Sequence, residues 1–119
     1  MIYKKCIDAC MDATKACDRL SVEGCKKSTE CCPGHCHAIV AAEVSNLIGR
    51  LTAKGMCCKD LFELCAQVCE GCAEKCKGMD HEHAQECVDA CKKCAETCRA
   101  CHEDCKKCEK EKGDCKGAE

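Results

Sequence analysis

Between residues 87 and 108 the chain places cysteines at intervals of four, three, four, three, four and three. That alternation averages 3.5 residues, so Cys87, Cys91, Cys94, Cys98, Cys101, Cys105 and Cys108 share one face of an α-helix; a half-buried strand would need intervals of two. The intervening Lys92, Lys93, Glu96, Arg99, Glu103, Asp104, Lys106 and Lys107 form helix well and suit a solvated face. Thiols therefore stand where a bundle helix ordinarily carries Leu and Ile.

The same phase recurs upstream. Cys6, Cys10 and Cys17, with Ala13 and Leu20 in the missing steps, predict a first helix from about Tyr3 to the low twenties. Residues 21–36 contain Gly24, Pro33 and Gly34 and read as a connection. A second helix is predicted from about His35 to Lys54, with Val40, Val44, Leu47 and Leu51 as an inward hydrocarbon stripe and Gly55 as its stop. A third, from about Cys57 to Lys77, aligns Cys58, Phe62, Cys65, Cys69, Cys72 and Cys76, and Gly78 closes it. Asp80 is the expected N-cap of a fourth helix reaching about Lys112. The fold class predicted is all-α: an antiparallel four-helix bundle with a cysteine-lined core over residues 1–112, followed by a flexible tail, 113–119.

Composition narrows the function classes. The chain of 119 residues is one domain in length and has 21 Cys against one Phe, one Tyr and no Trp, so conventional core material is scarce. A net charge of −2, with lysines interleaved among acids, offers no field for nucleic acid. The start MIYKKCIDAC has no apolar run like that of a signal peptide, and no stretch approaches membrane-spanning length, so a cytoplasmic location is expected. Thiols stay reduced there, pairs at i,i+3 on one helical face strain a disulfide, and an odd total leaves one unpaired, all of which disfavour a disulfide scaffold.

Ala, Val or Leu would fill a core without risk of oxidation, so the repeated thiols point to metal. A structural zinc site takes four ligands in discrete tetrahedral sets, and a continuous ladder is expected to contain no such sets. Iron-sulfur clusters use groups of four cysteines, commonly from loops that wrap the cluster. Cu(I) is soft and prefers thiolate; with two or three sulfurs per ion, pairs along and across helices can bridge successive ions, to a capacity on the order of ten to twenty per chain. A zinc or cadmium sink like metallothionein and an iron-sulfur electron carrier remain the alternatives. A thiol redox enzyme would need one distinctive reactive CxxC, and no enzymatic activity is expected.

The run LCAQVCEGCAEKC (64–76), DHEH (80–83) and CVDACKKCAETCR (87–99), with CIDAC (6–10) upstream, resembles the cytosolic copper storage proteins, a bacterial family of cysteine-rich four-helix bundles. The resemblance covers most of residues 6–99. It implies Cu(I) bound by inward cysteines, commonly in a homotetramer, with copper ions and a copper chaperone as partners and neither nucleic acid nor membrane. Ala13, Leu20, Val40, Val44, Phe62 and Ala84 stand where such proteins usually have Cys, whereas Cys101, Cys105, Cys108 and Cys115 extend the ladder. Storage is therefore expected between the first, third and fourth helices.

Antiparallel topology gathers His35, His37, His81, His83 and Met79 at one end, beside Cys31, Cys32 and Cys36, as candidate entrance ligands. A helix N-terminus disfavours imidazolium, which leaves the nitrogens of His81 and His83 available to metal. CCPGHCH (31–37) is alternatively a Cys/His zinc site, and Cys98 to His102 matches the CxxCH of haem attachment, though a thiol ladder generates CxxC repeatedly. Met56, Cys57 and Cys58 mark a second mouth at the opposite end.

Overall fold

The computed structural model of the chain describes residues 2–27, 33–56, 58–79 and 82–112, excepting the side chains of 2, 23–27, 33–35 and 108–112. Its elements are α1 (Ile2–Lys27), α2 (Pro33–Ala53), α3 (Lys59–Cys76) and α4 (Ala84–Lys112), and there is no strand among the described residues. α1 packs on α2 and α4, and α3 packs on the same two helices, while α2 and α4 barely meet across the diagonal. Neighbours run antiparallel: Thr14 meets Ser45 at 2.8 Å, Cys17 meets Cys91 at 3.4 Å where Cys6 meets Cys98 at 3.7 Å, and Cys72 meets Cys87 at 3.8 Å where Cys65 meets Cys94 at 3.9 Å. The bundle is thus up-down-up-down, with its core lined by cysteines.

Backbone chemistry sets the ends. Gly55, at φ 89°, donates its N–H to the Thr52 carbonyl at 3.0 Å, and Met56 donates to Leu51 at 3.0 Å; only a residue tolerant of positive φ closes α2 in this way. Gly78, at φ 85°, likewise ends α3, where the Met79 N–H donates to the Cys76 carbonyl at 3.0 Å. Pro33 and Gly34 were expected in a connection but form the first turn of α2, where a proline forfeits no intrahelical bond. Nor does α4 begin at Asp80, which lies outside the described residues. The Cys87 N–H donates to the His83 carbonyl at 3.1 Å, so the capping position is His83 and the helix starts four residues after Asp80. Cys57 and the tail 113–119 also lie outside the described residues.

The inward stripe of α2 corrects the sequence expectation. Val40 and Leu47 are 50% and 42% exposed, and Val44 and Leu51 lie at the half-buried margin. Ala38, Ala41, Ser45, Ile48 and Thr52 face the core instead, at intervals of three, four, three and four. Size explains the choice. A Cβ on Gly49 would press on the movable end of Met11 and stand 3.1 Å from Cys10 Cβ, so α2 approaches α1 closely at this point through small residues. The buried hydroxyls of α2 are satisfied: Ser45 Oγ donates to the Ala42 carbonyl at 3.3 Å, and Thr52 Oγ1 donates to that of Ile48 at 2.7 Å. Leu20, Ile48 and Phe62 are the largest buried hydrocarbon side chains, each stabilising the fold by about 1.5–3 kcal/mol on full burial. Tyr3 stacks on Phe62 with ring centroids 6.3 Å apart and closes one end.

Candidate metal centre

Each turn of the cysteine ladder points into the bundle because charged residues hold the opposite face in water. Arg99, for example, donates to both carboxylate oxygens of Glu63, at 3.1 and 3.0 Å, and pairs with Glu70, fixing the phase of α4 against α3. Arg19 similarly forks onto Glu86 at 2.8 and 2.9 Å, fixing α1 against α4. These exposed pairs contribute little stability, about 0–1 kcal/mol each, but they agree with the buried pattern.

Inside, the thiols form two sets of four. One comprises Cys10, Cys65, Cys94 and Cys98, the other Cys17, Cys72, Cys87 and Cys91, with all sulfurs of a set within 4.8 Å of one another. Each draws one residue from α1, one from α3 and an i,i+4 pair from α4. Passing from the first set to the second advances seven residues on α1 (10 to 17) and on α3 (65 to 72), and retreats seven on the antiparallel α4 (94 to 87, 98 to 91). Seven residues amount to about 10.5 Å of helix, so one constellation is repeated two turns further along. The expectation that the ladder holds no discrete sets is therefore corrected. The 4,3 spacing runs unbroken along α4, but Ala13 removes a sulfur from α1 between Cys10 and Cys17 and divides the core into layers.

Further thiols flank the sets. Cys6 Sγ lies 3.7 Å from Cys98, and Cys76 Sγ lies 3.9 Å from Cys72. Cys69 acts on Cys65 and Cys94 of the first set and on Cys91 of the second, bridging the two. Cys101 is buried beyond Cys6, whose hydrogen bond, together with burial, pushes its thiol up. Cys105, expected among the free inward thiols, is buried but disulfide-bonded; a sulfur bonded to sulfur offers no thiolate, and Tyr3 Oη lies 3.8 Å from it.

Crowded thiols do not ionise alike. Hydrogen bonds from Cys10, and then from Cys69, Cys94 and Cys98, hold the Cys65 thiol well below its usual range. Cys10 is brought down to about 6, chiefly by Cys6. The same sulfurs push Cys94 and Cys98 up, each chiefly through Cys10. In the second set Cys87 is lowered by Cys17 first, while Cys91 is raised by Cys17 and Cys17 by Cys72. One thiolate accepting several S–H bonds is stable, and further charge beside it is costly. The second set therefore presents a soft anion at Cys87, and the first presents one at Cys65 joined by Cys10 above about pH 6, each beside protonated thiols that a thiophilic cation can displace.

The remaining candidates are scattered. Cys36 is exposed on α2, and His37 beside it is half-buried, in an outer groove of about 330 Å³ lined by Val40, Gln67, Val68 and Gly71. Cys58 is half-buried at the capping position of α3. His83 stands at the α4 start, 3.8 Å from Glu82 and 3.9 Å from Glu86, and Met79 packs against the core nearby. His37 and His83 share one end of the bundle but line different surfaces. Cys31, Cys32 and His81 lie outside the described residues, as do the side chains of His35 and Cys108. His102 was read as the accidental histidine of a CxxCH; its Nδ1 lies 2.8 Å from the Lys59 carbonyl, tying α4 to the start of α3. The four-thiol sets themselves were missed in the sequence, and their signal was the seven-residue offset shared by three helices.

No curated protein matches the chain by sequence. Among solved structures it is similar to the Cu(I)-bound copper storage protein BsCsp3, with a TM-score of 0.78 and 29% identity over 86% of this chain and 99% of that one. It is similar also to apo copper storage protein 3 from Bacillus subtilis, with a TM-score of 0.74 and 30% identity over 83% of this chain and 97% of that one. A protein from Nitrosospira multiformis matches with a TM-score of 0.75 and 26% identity, over 86% and 95% of the respective chains. A sequence model of the copper storage protein (Csp) family matches residues 1–117, and the chain belongs to that family.

Proposed function

We propose that this protein stores Cu(I) in the cytosol, taking many ions per chain on the thiolates of α1, α3 and α4 and releasing them to a copper chaperone. The observation that carries the reading is the pair of buried four-thiol sets, joined by Cys69 and flanked by Cys6 and Cys76. Cu(I) needs only two or three sulfurs and tolerates bridging thiolates, so adjacent sets, with the thiols between them, suit a chain of ions. Storage rather than catalysis is supported by the burial of the described set thiols against one another inside the bundle. His37, His83 and Met79 serve as entrance ligands at the end where α4 begins. A homo-oligomer is supported by the apolar outer seam of α2 and α3, where Val40, Leu47 and Leu64 are exposed beside Val44 and Val68. No described helix is long and apolar enough to cross a membrane.

Anaerobic titration of the reduced chain with Cu(I) against a competing chelator tests the reading. Uptake is expected to continue well beyond the number of four-thiol sets, and saturation at one to three ions per chain would refute storage.

A further inference from the structure

The two four-thiol sets have dimensions that bridged Cu(I) does not require. A tetrahedron built on metal–sulfur bonds of about 2.3 Å has edges of about 3.8 Å, the geometry of a zinc site with four cysteine ligands. In the first set the sulfur separations include 3.7 Å for Cys10–Cys94, 3.9 Å for Cys65–Cys94 and 4.0 Å for both Cys10–Cys98 and Cys94–Cys98. In the second they include 3.4 Å for Cys17–Cys91, 3.5 Å for Cys17–Cys87 and 3.8 Å for Cys72–Cys87. All the sulfurs are buried, and three helices supply them from fixed positions, so little reorganisation is needed to close around one ion.

We propose that each set is also a tetrahedral site for a single Zn(II), so that the copper-starved protein carries two zinc ions, which copper later displaces. The proposal rests on the reading that inward thiolates are the metal-binding groups. Each zinc ion takes four thiolates, and the protons still present on those thiols pass to solvent. When Cu(I) arrives it takes over the same sulfurs, and Zn(II) leaves with its charge unchanged, so no oxidant or reductant is involved.

The heptad offset fixes the number. A further step of seven towards the Tyr3 end brings Tyr3 on α1, Cys58 before α3, and Cys101 with the disulfide-bonded Cys105 on α4; phenol and disulfide replace two of the four thiols. The opposite step falls, by sequence register, on Gly24, Met79, Asp80 and Ala84, with no thiol at all. Among the described residues zinc binding consequently stops at two, whereas copper, through bridging, does not.

Copper-free protein prepared anaerobically with the Cys105 disulfide intact, given excess Zn(II) and then gel-filtered, is expected to retain two ions per chain, and Co(II) in its place to give the intense visible absorption of a tetrahedral thiolate site. Cys94→Ser and Cys91→Ser should each remove one ion and the double variant both, with helix content followed by circular dichroism. Should either variant lose its helix, Cys98→Ala or Cys87→Ala interrogates the same set. Zinc retained far above two, or undiminished in the double variant, would overturn the proposal. No zinc retained while copper still loads to many ions would overturn it and leave copper storage standing; failure to bind either metal would overturn both.

Discussion

A thiol at Cys65 accepts hydrogen bonds from Cys10, Cys69, Cys94 and Cys98, and their donation makes its anion stable in a core that also buries Ala, Leu, Ile and Phe side chains. The consequence at the residue scale is a proton inventory. Cys94, Cys98, Cys91 and Cys17 are pushed up and hold their protons at neutral pH, so copper must displace them; Cys65 and Cys87 are pushed down and contribute none. Cys10, brought down to about 6, is protonated below that pH and ionised above it. Loading is therefore expected to release more protons at about pH 5 than at about pH 8, Cys10 supplying the difference. Calorimetric copper titrations in buffers of different ionisation enthalpy measure this, and release that rises with pH would contradict the assignment.

At the scale of the element, α2 differs from its partners. The phases of α1, α3 and α4 were legible in the sequence because cysteine and charge segregate to opposite faces, leaving a single consistent register. α2 was not, since Ile39, Val40, Val44, Leu47, Ile48 and Leu51 surround most of the helix and its hydrocarbon pattern admits two solutions. The choice between them is made by small residues, Ala38, Ala41, Ala42, Ser45 and Gly49, through a close approach to α1 that exists only in the folded molecule. The four-thiol sets were hidden for a related reason: each lies across three helices, and spacing along one helix does not reveal it. Ile48→Ala is accordingly expected to lower apo stability by about 2–5 kcal/mol in a denaturant titration. Val40→Ser with Leu47→Ser should leave the stability of the monomer within about 1 kcal/mol while shifting sedimentation towards a smaller species. An Ile48 variant as stable as the parent, or a Val40/Leu47 variant sedimenting unchanged, would speak against this assignment of faces.

At the scale of the whole molecule the two ends of the bundle are unequal. Tyr3, Phe62 and the disulfide-bonded Cys105 stop one end with aromatic rings and a sulfur already bonded to sulfur, whereas the other places Met79 beside Cys76 and His83 beside Cys87 of the second set. Metal is expected to enter and leave by the second. Replacing His37 and His83 by Ala should slow copper transfer to and from a chelator several-fold, followed by stopped-flow absorption, with capacity preserved. Identical transfer rates would show that these histidines are only surface residues.

α2 carries a single cysteine, Cys36, and that one is exposed, so bound metal would tie α1, α3 and α4 to one another and leave α2 attached by packing alone. Filling the store should stiffen the protein unevenly. In amide hydrogen exchange, protection of α1, α3 and α4 is expected to climb steeply on loading, because their opening then requires breaking metal–sulfur bonds, whereas α2 keeps nearly the rates of the apo form. The filled protein would then resemble a cage with one hinged side, whose slow lifting exposes the thiolates laterally without unfolding the rest.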